Sequence, residues 1–530
     1  QLKSLIAQQT KITAMKNIAV KNQIFRIARL LFYFFIIICI QSANAQTFNN
    51  KIVHFPLSGA KNVNPDTCFK LIFNAVPNLH NKGKIRIYNA SNNTLADELD
   101  LSVAPGPKNT RTPAPYDKFI YNYMQDSIYT VHKEDLNTAH KYQINYIGGT
   151  KPIDAYHFYP VLIDGSTAFI YPHSSRLAYN KTYYIVIDRD VFSFADGQTF
   201  EINKNQWQFQ TKKTAPSKNS KKIIVSADGK GDFTTVQGAV DFIPENNSQP
   251  VTILIKKGIY NEIINCPNRK AVSFIGEDRN STIIRYANNG VFNFREMSPD
   301  PNLNKDVHNI RAVMAVHRSS EITVANLTIQ SIGEKPAQAE ALLTVGDKMI
   351  IDNASIEGSG DALQATGRVY VNNSKIQGHG DNVLGYGAVF FNSCEFVSYS
   401  GPHMWVRNTD KNHGNVLVNC IIRTIGDAET DIARAPDNHG IKYPFAEAVL
   451  IDCKTEGLRP SGWGTVTDQA ENIKYWEYNT TDLETGKAAD VSKRHPASRQ
   501  LTMEKDAELI NNYRKPSYVL NGWNPVIPVH

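Results

Sequence analysis

Residues 350–387 read IIDNASIEGSGDALQATGRVYVNNSKIQGHGDNVLGYG, and the second half of this stretch repeats the first after 20 residues. Ile356-Glu-Gly-Ser-Gly-Asp361 thereby corresponds to Ile376-Gln-Gly-His-Gly-Asp381. Each half contains one short stretch in which apolar and polar residues alternate, which is the pattern of a β-strand. The stretch therefore predicts two successive units of one strand-containing repeat.

The same unit recurs on both sides of this stretch, at spacings of 20 to 33 residues. Equivalent small residues form one column of the alignment: Leu327, Ala354, Ser374, Cys394, Cys420 and Cys453. Apolar residues two positions later form a second column: Ile329, Ile356, Ile376, Phe396 and Ile422. Because the units lack a helical period of 3.6, the repeat predicts an all-β solenoid of stacked strands over residues 221–474.

Residues 46–213 show short apolar stretches separated by turn residues, which predicts a β-sandwich. The segment Phe55-Pro-Leu-Ser-Gly-Ala-Lys-Asn-Val-Asn-Pro resembles the start of bacterial immunoglobulin-like modules. A polar, Pro-containing linker is expected at 214–220. The remaining residues, 475–530, lose the repeat and are expected to pack back along the solenoid, with one helix from Thr502 to Tyr513.

The formal net charge of +7 is concentrated at the N-terminus, because residues 1–45 hold six Lys and Arg and no acidic residue. The rest of the chain has 51 basic and 50 acidic residues, which argues against nucleic acid as a partner. Basic residues precede the apolar run Leu30–Ile40, and Ala43-Asn-Ala45 is a typical cleavage site. We expect an upstream extension and signal peptide, cleavage before Gln46, no stable membrane anchor, and export to the periplasm, the cell surface or the medium.

The cysteines predict no metal site, because no Cys-x-x-Cys pair or Cys/His cluster is present. Cys394, Cys420 and Cys453 recur at equivalent repeat positions and are expected to be buried thiols. No Gly-rich phosphate loop and no Cys-x-x-Cys-His motif occurs, so neither a nucleotide nor haem is expected. We expect a monomer that works without metal or cofactor.

The repeat also predicts a pair of aspartates, because Asp361 and Asp381 are 20 residues, or one coil, apart. Strands of adjacent coils lie about 5 Å apart, so the two carboxylates should be neighbours. Two carboxylates at this distance do not ionise together easily, which separates their pKa values and yields an acid and a nucleophile. The alternative is that the repeat merely duplicates a Gly-Asp turn.

The solenoid sequence resembles the pectin methylesterase family. The resemblance begins with Ile224-Val-Ser-Ala-Asp-Gly-Lys-Gly-Asp-Phe-Thr-Thr-Val-Gln-Gly-Ala-Val, continues through Gly258-Ile-Tyr-Asn-Glu262 and Phe274-Ile-Gly-Glu, and extends to about Trp463. It implies that residues 221–474 form a right-handed parallel β-helix and that the enzyme hydrolyses the C6 methyl esters of polygalacturonate, with pectin as the partner.

The resemblance also implies a role for four residues. Gln338-Ala-Glu-Ala-Leu is similar to the family's Gln-Ala-Val-Ala-Leu, whose glutamine serves the anion hole. Gly360-Asp-Ala-Leu corresponds to Gln-Asp-Thr-Leu, which makes Asp361 the acid/base. Asp381-Asn-Val-Leu-Gly corresponds to Asp-Phe-Ile-Phe-Gly, which makes Asp381 the nucleophile. Ile432-Ala-Arg-Ala-Pro corresponds to Leu-Gly-Arg-Pro-Trp, which makes Arg434 the group that orients the nucleophile.

The chain departs from the family at the anion hole and in the sugar groove. Gly360 replaces a glutamine, and the loss of such a donor can cost about 100-fold in rate. The donors that could substitute for it from nearby are Gln364, Gln377 and His379. The groove aromatics Phe-Ile-Phe have become Asn-Val-Leu at 382–384, and the aromatics that could stack on sugar rings instead are Tyr386, Trp405 and Trp463.

Three other functions fit parts of the sequence. A polygalacturonase shares the β-helix, but Gly378-His-Gly and Asn408-Thr-Asp occur in the reverse order and no Asp-Asp pair is present. A calcium-dependent pectate lyase needs a cluster of carboxylates beyond the aspartate pair. The third alternative is a catalytically impaired β-helix that still binds pectic polysaccharide but has lost turnover with Gly360.

Overall fold

The computed structural model describes residues 52–106, 142–148, 155–293, 311–332, 338–438 and 440–527. The predicted upstream extension and signal peptide, residues 1–45, lie outside this described part. Within it, no helix is both long enough and apolar enough to cross a membrane.

The N-terminal region consists of short strands that are paired mainly antiparallel. Its strands are β1 (Val53–Phe55), β2 (Ala60–Val63), β3 (Phe69–Ile72), β4 (Asn78–Leu79), β5 (Lys84–Asn89), β6 (Leu95–Asp100), β7 (Ile144–Tyr146), β8 (Ala155–His157), β9 (Val161–Asp164), β10 (Thr167–Ile170), β11 (Thr182–Ser193), β12 (Thr199–Ile202) and β13 (Gln208–Thr211). Among the described residues, one sheet has the order β1-β3-β10-β9, and the other has β2-β13-β11-β5-β6 with β12 and β4 on β11. Strands β7 and β8 form a separate pair.

Aromatic side chains from the two sheets meet in the N-terminal core. Phe69 of β3 lies 5.7 Å from Trp207 and 5.3 Å from Phe209 between ring centroids, and all three side chains are buried. Apolar residues on one face of each strand therefore pack against the opposite sheet. The architecture is the predicted β-sandwich, and its immunoglobulin-like character stays a prediction.

The larger region is a parallel β-helix built from three sheets, S1, S2 and S3, to which each full coil adds one strand in that order. Sheet S1 contains β14 (Lys222–Val225), β15 (Val251–Ile255), β18 (Val272–Gly276), β21 (Thr323–Ala325), β24 (Met349–Asp352), β27 (Arg368–Asn372), β30 (Ala388–Asn392), β33 (Asn415–Val418), β36 (Glu447–Ile451), β38 (Lys474–Tyr478) and β40 (Ser498–Gln500). Sheet S2 contains β16 (Gly258–Asn261), β19 (Thr282–Tyr286), β22 (Thr328–Ser331), β25 (Ser355–Glu357), β28 (Lys375–Gly378), β31 (Glu395–Ser398), β34 (Ile421–Thr424), β37 (Lys454–Glu456) and β39 (Thr481–Asp482). Sheet S3 contains β17 (Ile264–Pro267), β20 (Met314–Ser320), β23 (Leu342–Asp347), β26 (Leu363–Thr366), β29 (Val383–Gly385), β32 (Met404–Val406) and β35 (Ala433–Arg434).

The predicted columns are present in the strand register, which confirms the predicted β-helix. Ile356 pairs with Ile329 on one side and Ile376 on the other, and Phe396 and Ile422 continue this ladder. All five side chains are fully buried. The predicted thiols Cys394, Cys420 and Cys453 are likewise buried and free.

A ladder of polar residues forms the turn from S1 to S2. Its members have φ between 45° and 56°, a left-handed conformation that asparagine tolerates better than most residues. The amide of Asn353 donates to Asn326 over 2.9 Å, so neighbouring coils are joined through side chains as well as strands. The members of this ladder are Asn326, Asn353, Asn373, Ser393, Asn419 and Asp452.

The sandwich contacts the first coil of the solenoid at helix α1 (Val236–Phe242). Asp66 of the sandwich accepts hydrogen bonds from the backbone N–H groups of Thr234 and Thr235, at 2.9 and 2.8 Å. The side-chain amide of Asn64 donates to the Thr234 hydroxyl over 3.0 Å. Residues 212–221 between the two regions, which include the predicted linker 214–220, contain no helix or strand.

The solenoid strands continue beyond residue 474, the limit expected from the sequence. Strand β38 still pairs with β36, and β40 pairs with β38. Asn479 extends the turn ladder, with φ of 52° and a hydrogen bond of 2.8 Å to Asp452. The column of equivalent residues that begins at Leu327 stops at Cys453, so the sequence pattern does not predict the last strands of the solenoid.

Two helices follow the last strands and cover the outer face of S1. Helix α2 (Met503–Tyr513) has Thr502 as its N-cap, and α3 (Pro516–Val519) follows it. Ile510, Tyr513 and Leu520 pack into a buried cluster with Phe390 and Val449 of S1. The tail therefore buries apolar side chains on a face of S1 that would otherwise be exposed.

Candidate active site

Three carboxylates occupy equivalent positions at the start of S3. Leu342, Leu363 and Val383 are register partners in adjacent strands, and an acidic residue lies two positions before each of them. Neighbouring strands are about 4.8 Å apart, so these side chains stack along the solenoid axis. We call the set Glu340, Asp361 and Asp381 the carboxylate column.

The backbone around Asp381 is held in an unusual conformation. Asp381 has a φ of 47° and Gly380 a φ of 138°, both outside the usual range for L-residues. The N–H of Asp381 donates to the Pro402 carbonyl over 2.6 Å. The buried Asn382 accepts from the Gly380 N–H at 3.2 Å and donates to the Val397 carbonyl at 2.9 Å. These bonds fix the turn that presents the Asp381 carboxylate, and they give Asn382 a structural role in place of a groove aromatic.

Asp381 is held from one side by Arg434. The guanidinium donates from Nε to Oδ1 over 2.8 Å and from Nη2 to Oδ2, so the pair is bidentate. The Arg434 guanidinium lies 4.7 Å from the Trp405 ring centroid, a cation–π contact that supports its position. The two parallel hydrogen bonds fix the orientation of the carboxylate. Its side chain is 14% exposed, so it can meet a substrate.

Asp361 has a different environment. Its side chain is 7% exposed, and Arg311 Nη2 donates to its Oδ2 over 2.8 Å. The pKa of Asp361 is raised to about 7, chiefly by burial; Arg311 and Arg407 oppose the shift, whereas the charges of Glu340 and Asp381 act in the same direction as burial. Asp361 can therefore hold and release a proton near neutral pH.

Gln338 joins this group through Arg311. The guanidinium donates from Nη1 to the Gln338 side-chain oxygen, and it binds Glu340 through Nε and Nη2 at 2.6 Å each. The structure thus brings Gln338 and Asp361 together around one guanidinium, and Asp381 and Arg434 together one coil further on.

Tyr386, predicted to stack on a sugar ring, and His379, predicted as a substitute donor near the substrate, are both at least partly exposed. Tyr386 is 43% exposed, with its ring near Tyr443. The His379 ring is half-buried against Tyr399, and burial lowers the pKa of this histidine.

The two tryptophans are buried. The Arg407 guanidinium lies 3.6 Å from the centroid of the Trp405 ring, and the Arg434 guanidinium lies 4.7 Å from the same centroid. Two guanidinium groups therefore pack against this ring. Trp463 stacks on Tyr475 with 4.6 Å between centroids and donates its indole N–H to Glu477 over 3.1 Å. With 1% of its surface exposed, Trp463 offers no face to a sugar, because the last coils of the solenoid cover it.

Comparison with known proteins places the solenoid in a family. The family model described as Pectinesterase matches residues 222–519, more than half of the chain. The chain belongs to the pectinesterase family. This confirms the predicted family and makes the protein a member of a family of carboxylic ester hydrolases.

Pectinesterases of plants are among the similar sequences. Pectinesterase QRT1 of Arabidopsis thaliana is 28% identical over 298 residues, which span 53% of this chain and 74% of that protein. Probable pectinesterase 56 of the same plant is 31% identical over 155 residues, or 29% of this chain and half of that protein. Among solved structures, the carrot pectin methylesterase superposes with a TM-score of 0.46 and 23% identity, covering 58% of this chain and 95% of that one.

The residues of this pectinesterase that sequence reasoning missed are Arg311, Glu340 and Arg407. Glu340 carried one signal, since it stands where the family motif has valine. Arg311 carried none, because it lies 50 residues before Asp361 and outside the repeated motif. Only the stacking of the coils shows that the charges of all three residues influence the pKa of Asp361.

Two cavities among the described residues lie away from the aspartate pair. One, of about 500 Å³, lies between the sandwich and the first coil and includes Asp66 and Glu262. The other, of about 1060 Å³, follows the turns from S3 to S1 and includes Tyr386 and His413. Within the same residues, no group of three or more His, Cys, Asp or Glu side chains is arranged to hold a metal ion.

Proposed function

We propose that this pectinesterase hydrolyses the C6 methyl esters of polygalacturonate, with Asp381 as nucleophile and Asp361 as acid/base. One observation carries the proposal: two stacked carboxylates have opposite environments. Arg434 holds Asp381 as an oriented anion, whereas burial raises the pKa of Asp361 to about 7. These are the properties that a nucleophile and a general acid require.

In the first step, an oxygen of Asp381 attacks the ester carbonyl carbon and forms a tetrahedral intermediate. Gln338 donates to the oxygen that becomes negative. The bond to the methoxy oxygen then breaks as Asp361 transfers its proton to that oxygen. Methanol leaves, and an anhydride links the Asp381 carboxyl to the sugar acid.

In the second step, Asp361 is ionised and acts as a general base. It removes a proton from water, and the resulting hydroxide attacks the sugar carbonyl of the anhydride. The bond to Asp381 breaks, which restores the anionic nucleophile and releases the galacturonic acid, and this acid loses its proton to the solvent as it becomes the carboxylate. Asp361 is protonated again, so both side chains return to their starting states.

Several finer features belong to the same proposal. Tyr386 is the exposed aromatic side chain that would stack on a sugar ring beyond the reacting one. The protein is exported with the signal peptide removed, and it acts as a monomer on pectin outside the cytoplasm. No nucleic acid, metal or cofactor takes part.

The test is methanol release from highly methylated pectin by the wild-type protein and by Asp381→Ala and Asp361→Ala. Both substitutions should abolish release, whereas Asp347→Ala should not. Asp347 is a matched control, because Arg368 also pairs with it across adjacent coils of the same solenoid. Pectin binding without methanol release by the wild type would favour the alternative, a binding protein that has lost turnover with Gly360.

A further inference from the structure

Gly360 stands at the position where the family motif has a glutamine. Gly360 precedes Asp361 and has no side chain to donate a hydrogen bond. Among the described residues, a guanidinium that the family motif did not predict, that of Arg311, donates to Asp361. A cation thus contacts the carboxyl group whose neighbouring residue, Gly360, offers no side-chain donor.

Arg311 contacts both groups that the reaction needs on this side. Its Nη2 donates to Asp361, and its Nη1 donates to the side-chain oxygen of Gln338. A guanidinium can only donate, so it fixes the oxygen of Gln338 toward itself and directs the NH₂ group away. This is the orientation in which Gln338 can donate to an oxyanion.

Glu340 keeps Arg311 in place. Its carboxylate is fully buried and receives two hydrogen bonds from Arg311, at Oε1 and Oε2. It also neutralises the charge of Arg311, which would otherwise favour the ionised form of Asp361. The family's valine at this position could do neither.

We propose that Arg311, held by Glu340, is a positioning residue that orients Gln338 and sets the proton affinity of Asp361. The inference rests on the proposed esterase function and deepens it. The Arg311–Glu340 pair compensates for the glutamine that became Gly360. The charged groups that act on Asp361 are Arg311, Glu340, Asp381 and Arg407.

The two members of the pair should shift the pH profile in opposite directions. Arg311→Gln removes a cation beside Asp361, so the alkaline limb of kcat against pH should move up by about one unit. Glu340→Gln removes an anion, so the limb should move down by a similar amount. Arg311→Gln should also lower kcat roughly tenfold or more with little change in KM, because Gln338 loses its fixed orientation.

Conservative and control variants separate positioning from folding. Arg311→Lys keeps the charge and should retain the wild-type limb with part of the lost kcat. The double variant with Arg311→Gln and Glu340→Gln removes both members of the ion pair, so no buried Glu340 carboxylate is left without its cation, and it should fold while retaining the low kcat. The matched control is Arg423→Gln, since Arg423 pairs with Glu395 across coils of S2 and should change neither the limb nor kcat.

A readout independent of turnover distinguishes the two proposals. Infrared spectra of protein with ¹³C-labelled aspartate, taken as wild type minus Asp361→Asn, follow the titration of Asp361 directly. Opposite shifts of this titration in Arg311→Gln and Glu340→Gln support the positioning role, even if methanol release fails. Unchanged titration and unchanged kcat in both variants, relative to Arg423→Gln, overturn it. Absence of methanol from the wild type overturns the proposed function alone.

Discussion

Two groups of buried carboxylates in this molecule each contain a member with a raised pKa but differ in their partners. The first is the carboxylate column, where burial raises the pKa of Asp361 to about 7. The second is the junction pair, Asp66 and Glu262, at the start of helix α1. Burial raises the pKa of Glu262 to about 8 and also raises that of Asp66.

The partners show what each group does. Glu262 accepts from the backbone N–H groups of Val236 and Gln237, at 2.8 and 2.9 Å. Such contacts satisfy the free donors of a helix N-terminus, and those that Asp66 receives from Thr234 and Thr235 also join the sandwich to the solenoid. In the carboxylate column, the donors are Arg311 and Arg434, and Asp381 remains partly exposed. A raised pKa alone therefore does not identify an active site, and neither does an arginine partner alone; the carboxylate column differs from the junction pair in having a buried and a partly exposed carboxylate side by side, each paired with its own arginine.

Replacement of the nucleophile gives the largest expected difference between the two groups. Asp381→Asn keeps the shape of the side chain but cannot form the acyl intermediate, so methanol release should fall by at least about 10³-fold. Glu262→Gln should retain full activity per folded molecule. A comparable loss in both variants, measured on pectin with the fold checked by circular dichroism, would remove the distinction between the groups.

Replacement of the orienting arginine tests the importance of bidentate geometry. Arg434→Lys keeps a positive charge but cannot donate two parallel hydrogen bonds to Asp381, so kcat should fall by roughly 10- to 100-fold. Arg423→Lys changes a similar pair on S2 and should have no effect. If kcat of Arg434→Lys equals that of the wild type, charge alone is sufficient at this position.

The pH dependence tests the raised pKa of Asp361. Because the acid must be protonated when methanol leaves, activity should fall by about tenfold per unit above pH 7. The ordinary pKa is 3.8, so between pH 3.8 and 7 the folded state holds a proton that the unfolded state has lost. Stability should therefore decrease as pH rises through this window.

Asp361→Asn provides the control for the stability effect. Unfolding by urea at several pH values should show a smaller decrease in the variant than in the wild type. A wild-type activity that stays constant up to pH 9 would show that Asp361 does not deliver the proton.

The sequence predicted the parts of the site that the repeat determines. Asp361 and Asp381 are one period apart, so their stacking follows from the coil length. Arg434 lies 53 residues after Asp381, so the repeat alone does not predict their contact. The prediction of Arg434 came from the family motif. Arg311 could not be found in either way, since it precedes the second S3 strand and reaches Asp361, which precedes the fourth, only through the stacking of the coils.

Burial was harder to predict than position. Tyr386 and Trp463 are both aromatic residues in or beside the solenoid, yet one is 43% and the other 1% exposed. The difference arises from the coils beyond residue 474, which the repeat pattern did not reveal and which cover Trp463. From the sequence of a solenoid, an aromatic residue can therefore be assigned either to the buried core or to the exposed groove. The choice between them requires knowing which coils follow it.

The smallest expected effect on activity comes from the junction. Asp66→Ala removes the acceptor for the N–H groups of Thr234 and Thr235, which should cost about 1 to 2 kcal/mol of unfolding free energy. Asp196→Ala is the matched control, since this exposed aspartate of the sandwich accepts only a local turn hydrogen bond in the described structure. Methanol release by folded Asp66→Ala should equal that of the wild type, because helix α1 lies in the first coil, several coils before the carboxylate column. A large loss of activity with unchanged stability would instead mean that the sandwich contributes to catalysis, and the two groups of carboxylates would then belong to one functional unit.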